Sequence, residues 1–319
     1  VLPGGFEIGT RAIRGVESHG MICSERELGL GDLHEGIMVL DDDAPLGAPF
    51  ESILALPDVV FDLEITSNRP DAMSMIGIAR ELAAWYDLEV KHPDWQLTTV
   101  PGTPQLQVTV AAPDGCNRFV AREIRDVEIA ESPLWLRERL RKAGVRAISN
   151  VVDVTNYVML ELGHPLHAFD ADRIAGERLN VRWAADGEQL LTLDDVERTL
   201  VPDDLIIEDA EGPTSLAAVM GGARSEVADD TTRVIMEAAN WNPATVMYTS
   251  RRHDLRSEAS ARFERGVDPN LSPDANARAC RVLQDIGGGT ILEDVIDVVV
   301  NEASPVTVHM RLSDVTRLL

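Results

Sequence analysis

The chain has 319 residues, enough for two or three domains with real cores, and 45% of them are hydrophobic, the ordinary share for a globular protein. Asp and Glu number 54 against 29 Lys and Arg, a formal charge of −25, which argues against a chain that coats itself with nucleic acid but leaves local basic patches open. There is no apolar run of membrane-spanning length and no signal segment, and Cys23, Cys116 and Cys280 lack disulfide or zinc spacing, so no membrane partner and a reducing, cytoplasmic setting are expected.

Residues 1 to about 47 are rich in Gly and in short β-like runs (FEIGTRAIRGV, GIMVL), consistent with part of a small barrel. The alternation VFDLEI from Val59 puts Phe61, Leu63 and Ile65 on one face, a half-buried strand. The turn SNRPD follows, then a helix with a stripe of Met75, Ile78, Leu82 and Trp85. HPDWQLTTVPGTP reads as a linker. From about Gln105 to Val300 the pattern is that of a larger α+β domain. It opens on strands and continues with a helix read as capped by Ser132, with Pro133 at its first position and Gly144 past its last turn.

Ser149 to Asp170 (SNVVDVTNYVMLELGHPLHAFD) is too apolar for a surface helix, so most of it is expected to be buried. Gly163 suits the left-handed position that ends such a helix, and Pro165 forbids its continuation. A β-rich block follows, then helices beginning at Asn242-Pro243 and Ser272-Pro273, the second with an Ala279, Val282, Leu283, Ile286 stripe ending at Gly287. DVIDVVV reads as a final buried strand. The start without Met and the closing RLSDVTRLL, a helix too short to stand alone, suggest a piece of a longer polypeptide.

Several residues have the chemistry for a site, each beside a plainer reading. His167 has a ring able to position water or a carbonyl, or is a structural histidine bonded to a backbone carbonyl; His164 reads as a turn residue. Thr155 and Asn156 are polar groups inside an apolar helix and need partners, internal or from a ligand. Gly221, in Met220-Gly221-Gly222, either lets a ligand approach the backbone or makes a turn, since paired glycines permit positive φ. Glu237 is a lone carboxylate in an apolar run, either facing inward toward a ligand hydroxyl or lying on a wet edge strand. Two arginine clusters stand out: Arg137, Arg139, Arg141, Lys142 and Arg146, and then Arg251, Arg252, Arg256, Arg262 and Arg265. They are polyanion guides or solvated faces with local ion pairs.

These motifs, in this order, resemble the β subunit of bacterial phenylalanine–tRNA ligases essentially end to end. IRGVESHGMICSERELGL resembles the second half of an OB-type tRNA-binding domain, and VFDLEITSNRPDAMSMIGIARELAA the small domain after it. SPLWLRERLRKAGVRAISNVVDVTNYVMLELGHPLHAFD, AAVMGGARSEV and SEASARFERGVDP resemble the B3/B4 editing domain, and VTVHMRLSDVTRLL the opening of a B5 domain. The resemblance implies an α+β, multidomain chain: the C-terminal part of an OB-type β-barrel at 1–47, a small α/β domain at 48–95, a B3/B4 editing domain at 105–300, and a truncated B5 start at 305–319. It implies an α2β2 heterotetramer with a catalytic α subunit, tRNA(Phe) as partner, and ATP and Mg²⁺ for the holoenzyme but no cofactor in this chain. It also implies hydrolysis of tyrosine wrongly joined to the tRNA.

The family's editing residues carry over to Arg146, Thr155, Asn156, His167, Gly221, Glu237 and Ala259. In the resemblance His167, Thr155 and Gly221 serve the hydrolysis, while Glu237, Asn156, Arg146, Ser257 and Ala259 bind substrate. One departure is Ser257, where the family usually has threonine, which keeps the hydroxyl and loses a methyl. The competing expectations are a scaffold that binds tRNA and its partner subunit without hydrolysis, and a free-standing deacylase. A cavity lined jointly by His167, Gly221, Glu237 and Ala259 separates the editing reading from the scaffold.

Overall fold

The computed structural model of the chain describes residues 2–31, 34–40, 44–54 and 58–318. It forms two compact units, residues 1–62 with 133–146, and residues 63–132 with 147–319. These units do not divide at the domain boundaries expected from the sequence.

In the first unit, Arg11–Ile13 and Val16–Ser18 make an antiparallel hairpin, and Arg14 and Gly15 both take positive φ, as a two-residue turn of matching twist requires. The helix Glu25–Leu28 is opened by a Ser24/Glu27 capping box and closed by left-handed Gly29. Glu25 pairs with Arg137 of the helix Leu134–Lys142 at 2.5 Å, and Lys142 pairs with Asp58 at 2.7 Å. No barrel is present among the described residues. GIMVL forms no strand: Ile37 and Val39 are exposed and lack a neighbouring strand to complete a ladder. Most cations of the first arginine cluster are engaged locally, Arg141 with Glu138 and Arg139 over the Trp135 ring.

The second unit is α+β, with two sheets packed face to face. One sheet runs in the order Thr99–Val100, Thr290–Leu292, Cys116–Arg125, Val234–Trp241, His167–Asp170, with Ile296–Val299 also pairing Cys116–Arg125. The other runs Met220–Gly221, Pro213–Leu216, Leu205–Glu208, Arg178–Trp183, Gln107–Val110. Between them lies the main core, with Phe119, Phe169, Ile235 and Trp241 from the first sheet meeting Leu179, Val181, Ile207 and Leu216 from the second. The helices Asn150–Leu162 and Ser272–Asp285 pack on each other, and the latter lies on the first sheet. Val234–Trp241 is therefore covered on both faces, which is why it is buried throughout and largely apolar instead of alternating.

The long apolar helix behaves as its sequence predicts: Asn150–Leu162 is mostly buried and ends at Gly163 with φ 83°. The helices at Asn242-Pro243 and Ser272-Pro273 also form, with Ala279, Val282 and Leu283 buried. Four further expectations need correction. The stripe on the helix Met75–Tyr86 lies on the other face: Ile76, Gly77 and Ala83 are buried, while Met75, Leu82 and Trp85 are exposed. The small residue decides this, because a Cβ on Gly77 would stand 1.9 Å from the Asp71 carbonyl oxygen, so the backbones meet there. VFDLEI forms no strand, and Val59, Val60, Phe61 and Leu63 are exposed with no ladder partner among the described residues. Ser132 does not cap the following helix; its hydroxyl donates to Asp153 at 2.6 Å, and Pro133 takes the cap position. The last strand, Ile296–Val299, is half-buried rather than buried. No helix of the described residues is long and apolar enough to cross a membrane.

Candidate active site

Gly163 stops the long helix, the chain turns through His164 and Pro165, and it enters the strand His167–Asp170. That strand pairs antiparallel with Val234–Trp241 in a register that sets His167 directly opposite Glu237. Directly opposed residues have their Cβ atoms about 5 Å apart on one face of the sheet. Both residues line a cavity of about 90 Å³ together with Gly221, Ala259, Ser215 and Phe263. Ile207 and Trp241 add further apolar wall. The volume is on the scale of one amino-acid side chain.

The two histidines of the turn differ sharply. His164 is fully buried, with Nδ1 bonded to the Pro165 carbonyl at 2.8 Å and Nε2 to the Ser272 hydroxyl at 2.9 Å, so it is a structural residue. His167 is half-buried as a residue, its ring set edge-on against Phe169 at 4.5 Å, yet its Nε2 is closed off from solvent with no hydrogen-bond partner in the protein. Burial pushes both imidazoles down to about 4, with the Pro165 carbonyl opposing the shift only at His164. Both are therefore neutral at pH 7, and His167 offers an unspent ring nitrogen to the cavity.

Glu237 is 5% exposed on the strand Val234–Trp241, which is central and not a wet edge. Burial pushes its carboxyl up to about 8, only partly opposed by the Ala239 backbone N–H. No cation pairs with it among the described residues. At neutral pH it is a carboxylic acid that donates one hydrogen bond and accepts others. Asn240, three residues along, has both ends of its amide satisfied, by Asn117 at 2.8 Å and the Val267 carbonyl at 2.7 Å. Glu237 is left for something that enters the cavity.

Gly221 is glycine because of close approach, not positive φ, which neither it nor Gly222 adopts. A Cβ at Gly221 would stand 2.6 Å from Cε1 and 3.0 Å from Nε2 of His167. Ser257 caps the helix Glu258–Phe263, which presents Ala259 and Phe263 to the cavity; the Ser257 hydroxyl accepts from the Ser260 N–H and lies 3.5 Å from the Val219 carbonyl. Thus His167, Gly221, Glu237 and Ala259 converge, with Ser257 immediately behind. Thr155 and Asn156 do not line the cavity: the Thr155 hydroxyl donates to the Val152 carbonyl of its own helix at 2.7 Å, and Asn156 is half-buried. Arg146 is exposed and belongs to the first unit.

The second arginine cluster is largely structural. Arg262 and Arg265 donate to the carbonyls of Met73 and Ile65, and Arg252 pairs with Asp204. Nothing in the local sequence marks Ser215, a strand serine that lines the cavity and whose hydroxyl is buried without a partner in the protein. Only its register, opposite Gly221, brings it there.

A family model described as the B3/4 domain matches residues 115–288. The chain is 46% identical over 312 residues to the phenylalanine–tRNA ligase β subunit of Anaeromyxobacter dehalogenans, covering 97% of this chain and 39% of that one. It is also 46% identical over 321 residues to the same subunit of Geobacter metallireducens, covering 100% of this chain and 40% of that one. The chain therefore spans about two fifths of the length of these relatives. A solved N-terminal fragment of the phenylalanyl-tRNA synthetase β subunit from Pyrococcus horikoshii matches at 17% identity with a TM-score of 0.41, over 82% of this chain and 74% of that one, too distant to bear on the fold. With a B3/4 domain across more than half its length and β subunits matched along its whole length, the chain belongs to the phenylalanine–tRNA ligase β-subunit family.

Proposed function

We propose that this chain carries the hydrolytic editing site of a phenylalanine–tRNA ligase, releasing tyrosine wrongly esterified to tRNA(Phe). The observation that carries the reading is the meeting of His167, Gly221, Glu237 and Ala259 around one cavity of side-chain size. An apolar synthetic pocket for phenylalanine cannot strongly reject an analogue that only adds a hydroxyl, giving about 10²-fold discrimination. A second pocket that must hydrogen-bond that hydroxyl reverses the preference, because phenylalanine entering it leaves Glu237 desolvated and unpaired. Apolar walls from Phe263, Trp241 and Ile207 suit an aromatic ring, and Ala259 leaves room for it.

Hydrolysis then needs a placed water and no covalent nucleophile. The water oxygen bonds to the ester carbonyl carbon, the bond from that carbon to the ribose oxygen breaks, and one water proton ends on the ribose oxygen. His167, neutral and with Nε2 unspent, positions the water or the terminal ribose, and the bare backbone at Gly221 lets the ester lie close. On family resemblance alone, Thr155 is assigned to the hydrolysis, and Asn156 and Arg146 to substrate binding. The partners in this reading are tRNA(Phe) and the α subunit of an α2β2 assembly. ATP and Mg²⁺ serve phenylalanylation on the α subunit, and no step of the hydrolysis passes through them. The OB-type and B5-type segments extend the same assignment, as does a cytoplasmic location.

The test is incubation of the full-length protein with tyrosyl-tRNA(Phe) and with phenylalanyl-tRNA(Phe). Faster release of free tyrosine than of phenylalanine is expected. Equal or absent release leaves a tRNA- and subunit-binding scaffold as the function.

A further inference from the structure

Among the described residues, five buried side-chain atoms have no hydrogen-bond partner in the protein, and two of them, His167 Nε2 and Ser215 Oγ, belong to residues that line the same cavity. The other three, on Arg122, Ser225 and Asn276, do not line it. A buried hydroxyl normally finds an acceptor close by, and Thr214, the residue before Ser215, shows how easily that is done: its hydroxyl donates to the Ile207 carbonyl at 3.1 Å. Ser215 faces the other way and is left unpaired, although it is only 3% exposed.

Its position is set by register. Ser215 on the strand Pro213–Leu216 lies directly opposite Gly221 on Met220–Gly221. Directly opposed residues send their side chains to the same face, about 5 Å apart at Cβ. At Gly221 there is no side chain, and the place where its Cβ would stand is 2.6 Å from the His167 ring and 3.0 Å from Nε2. The two residues with unpaired polar atoms are therefore both neighbours of Gly221, His167 by close approach and Ser215 by strand pairing. One partner is a neutral imidazole nitrogen, and the other is a hydroxyl that both donates and accepts, so a single water satisfies both.

We infer that Ser215 is a further water-binding residue of the site: its hydroxyl and His167 Nε2 together hold the attacking water over Gly221. The inference rests on the hydrolytic reading above and adds the second ligand that fixes the direction of the water's lone pair. With one ligand the water swings about His167; with two it is aimed at the ester carbon. In the step itself the water oxygen bonds to the carbonyl carbon, the ribose oxygen leaves and takes up one water proton, and Ser215 is unchanged at the end. Glu237, opposite His167 in the neighbouring register, remains the group that reads the side-chain hydroxyl.

The test compares wild type, Ser215→Ala, Ser215→Thr and Glu237→Ala in the full-length protein, measuring kcat and KM for release of tyrosine and of phenylalanine from tRNA(Phe), with thermal unfolding of each variant. Ser215→Ala is expected to fold as well as wild type, since it removes an unpaired buried hydroxyl. It should lower kcat about 10- to 100-fold with KM and the tyrosine-to-phenylalanine ratio unchanged, and Ser215→Thr should recover most of the rate. A wild-type kcat in Ser215→Ala overturns the inference while wild-type release of tyrosine keeps the editing reading standing. A change confined to the tyrosine-to-phenylalanine ratio, the behaviour expected of Glu237→Ala, also overturns it, because Ser215 would then read the side chain. A wild-type protein that releases no tyrosine takes down both.

Discussion

The turn at His164 and the cavity at His167 are three residues apart and use the same chemistry to opposite ends. Both rings are pushed down to about 4 by burial, and both lie against an aromatic ring, Phe263 for one and Phe169 for the other. At His164 each ring nitrogen has a partner, and the residue ties the turn to the helix Ser272–Asp285. At His167 Nε2 the partner is withheld, as it is at Ser215, while burial keeps the Glu237 carboxyl protonated at neutral pH. The same contrast runs along one strand, where Asn240 is fully bonded and Glu237 is not. Buried polar groups that hold a fold are satisfied within it; those kept for a ligand carry their desolvation cost until the ligand arrives.

The comparison can be broken most directly at Glu237. Glu237→Ala should reduce discrimination between tyrosyl and phenylalanyl esters by about 10²-fold or more, because the hydroxyl of tyrosine then has no dedicated partner. Relative deacylation rates measure this, and unchanged selectivity removes Glu237 from the assigned role.

The two histidines give the next test. His164→Ala should cost about 2–4 kcal/mol of stability, since it opens a gap and strands the Ser272 hydroxyl. His167→Ala should cost less stability than that, because one of its ring nitrogens had no partner to lose, yet it should abolish most of the tyrosine release. Denaturant unfolding beside deacylation separates the two effects, and a reversed order of stabilities would defeat the distinction between them.

The smallest effect is in the pH dependence. The Glu237 carboxyl is raised from 4.5 to about 8, so the native state holds a proton that the unfolded state releases. Its contribution to stability is fully present below about 4.5 and is lost as pH rises toward 8. The histidines act in the opposite sense: lowered from 6.5 to about 4, they contribute stability above 6.5 that is lost as pH falls toward 4. Glu237→Gln should therefore gain stability relative to wild type between pH 5 and pH 8, with the gain levelling off above 8. A wild-type-minus-variant difference that stays flat over that range contradicts the raised carboxyl.

Local patterns marked much of the second unit. The density of valine and leucine placed Asn150–Leu162 inside, Gly163 and Pro165 fixed its end, and Asn242 and Ser272 marked the starts of two more helices. Where a strand needed a partner, sequence alone misled: VFDLEI alternates well and still forms no ladder, because periodicity records what a segment offers and not what stands beside it. The helix Met75–Tyr86 misled for a related reason, since its closest contact is made by Gly77, which a hydrophobic stripe does not register.

By its own residues, then, the sequence determined that most of the helices form, where Asn150–Leu162 stops and, through resemblance, the family. Only the tertiary structure decided which polar residues meet. His167 faces Glu237 through one strand register, Ser215 faces Gly221 through another, and a one-residue slip in either would send those side chains to the opposite face. Thr155 and Asn156, which look as chemical as His167 in the sequence, stay outside the cavity, and the Thr155 hydroxyl is spent on the Val152 carbonyl of its own helix. Register is set by long-range pairing and core packing across the two sheets, and no window of local sequence contains it.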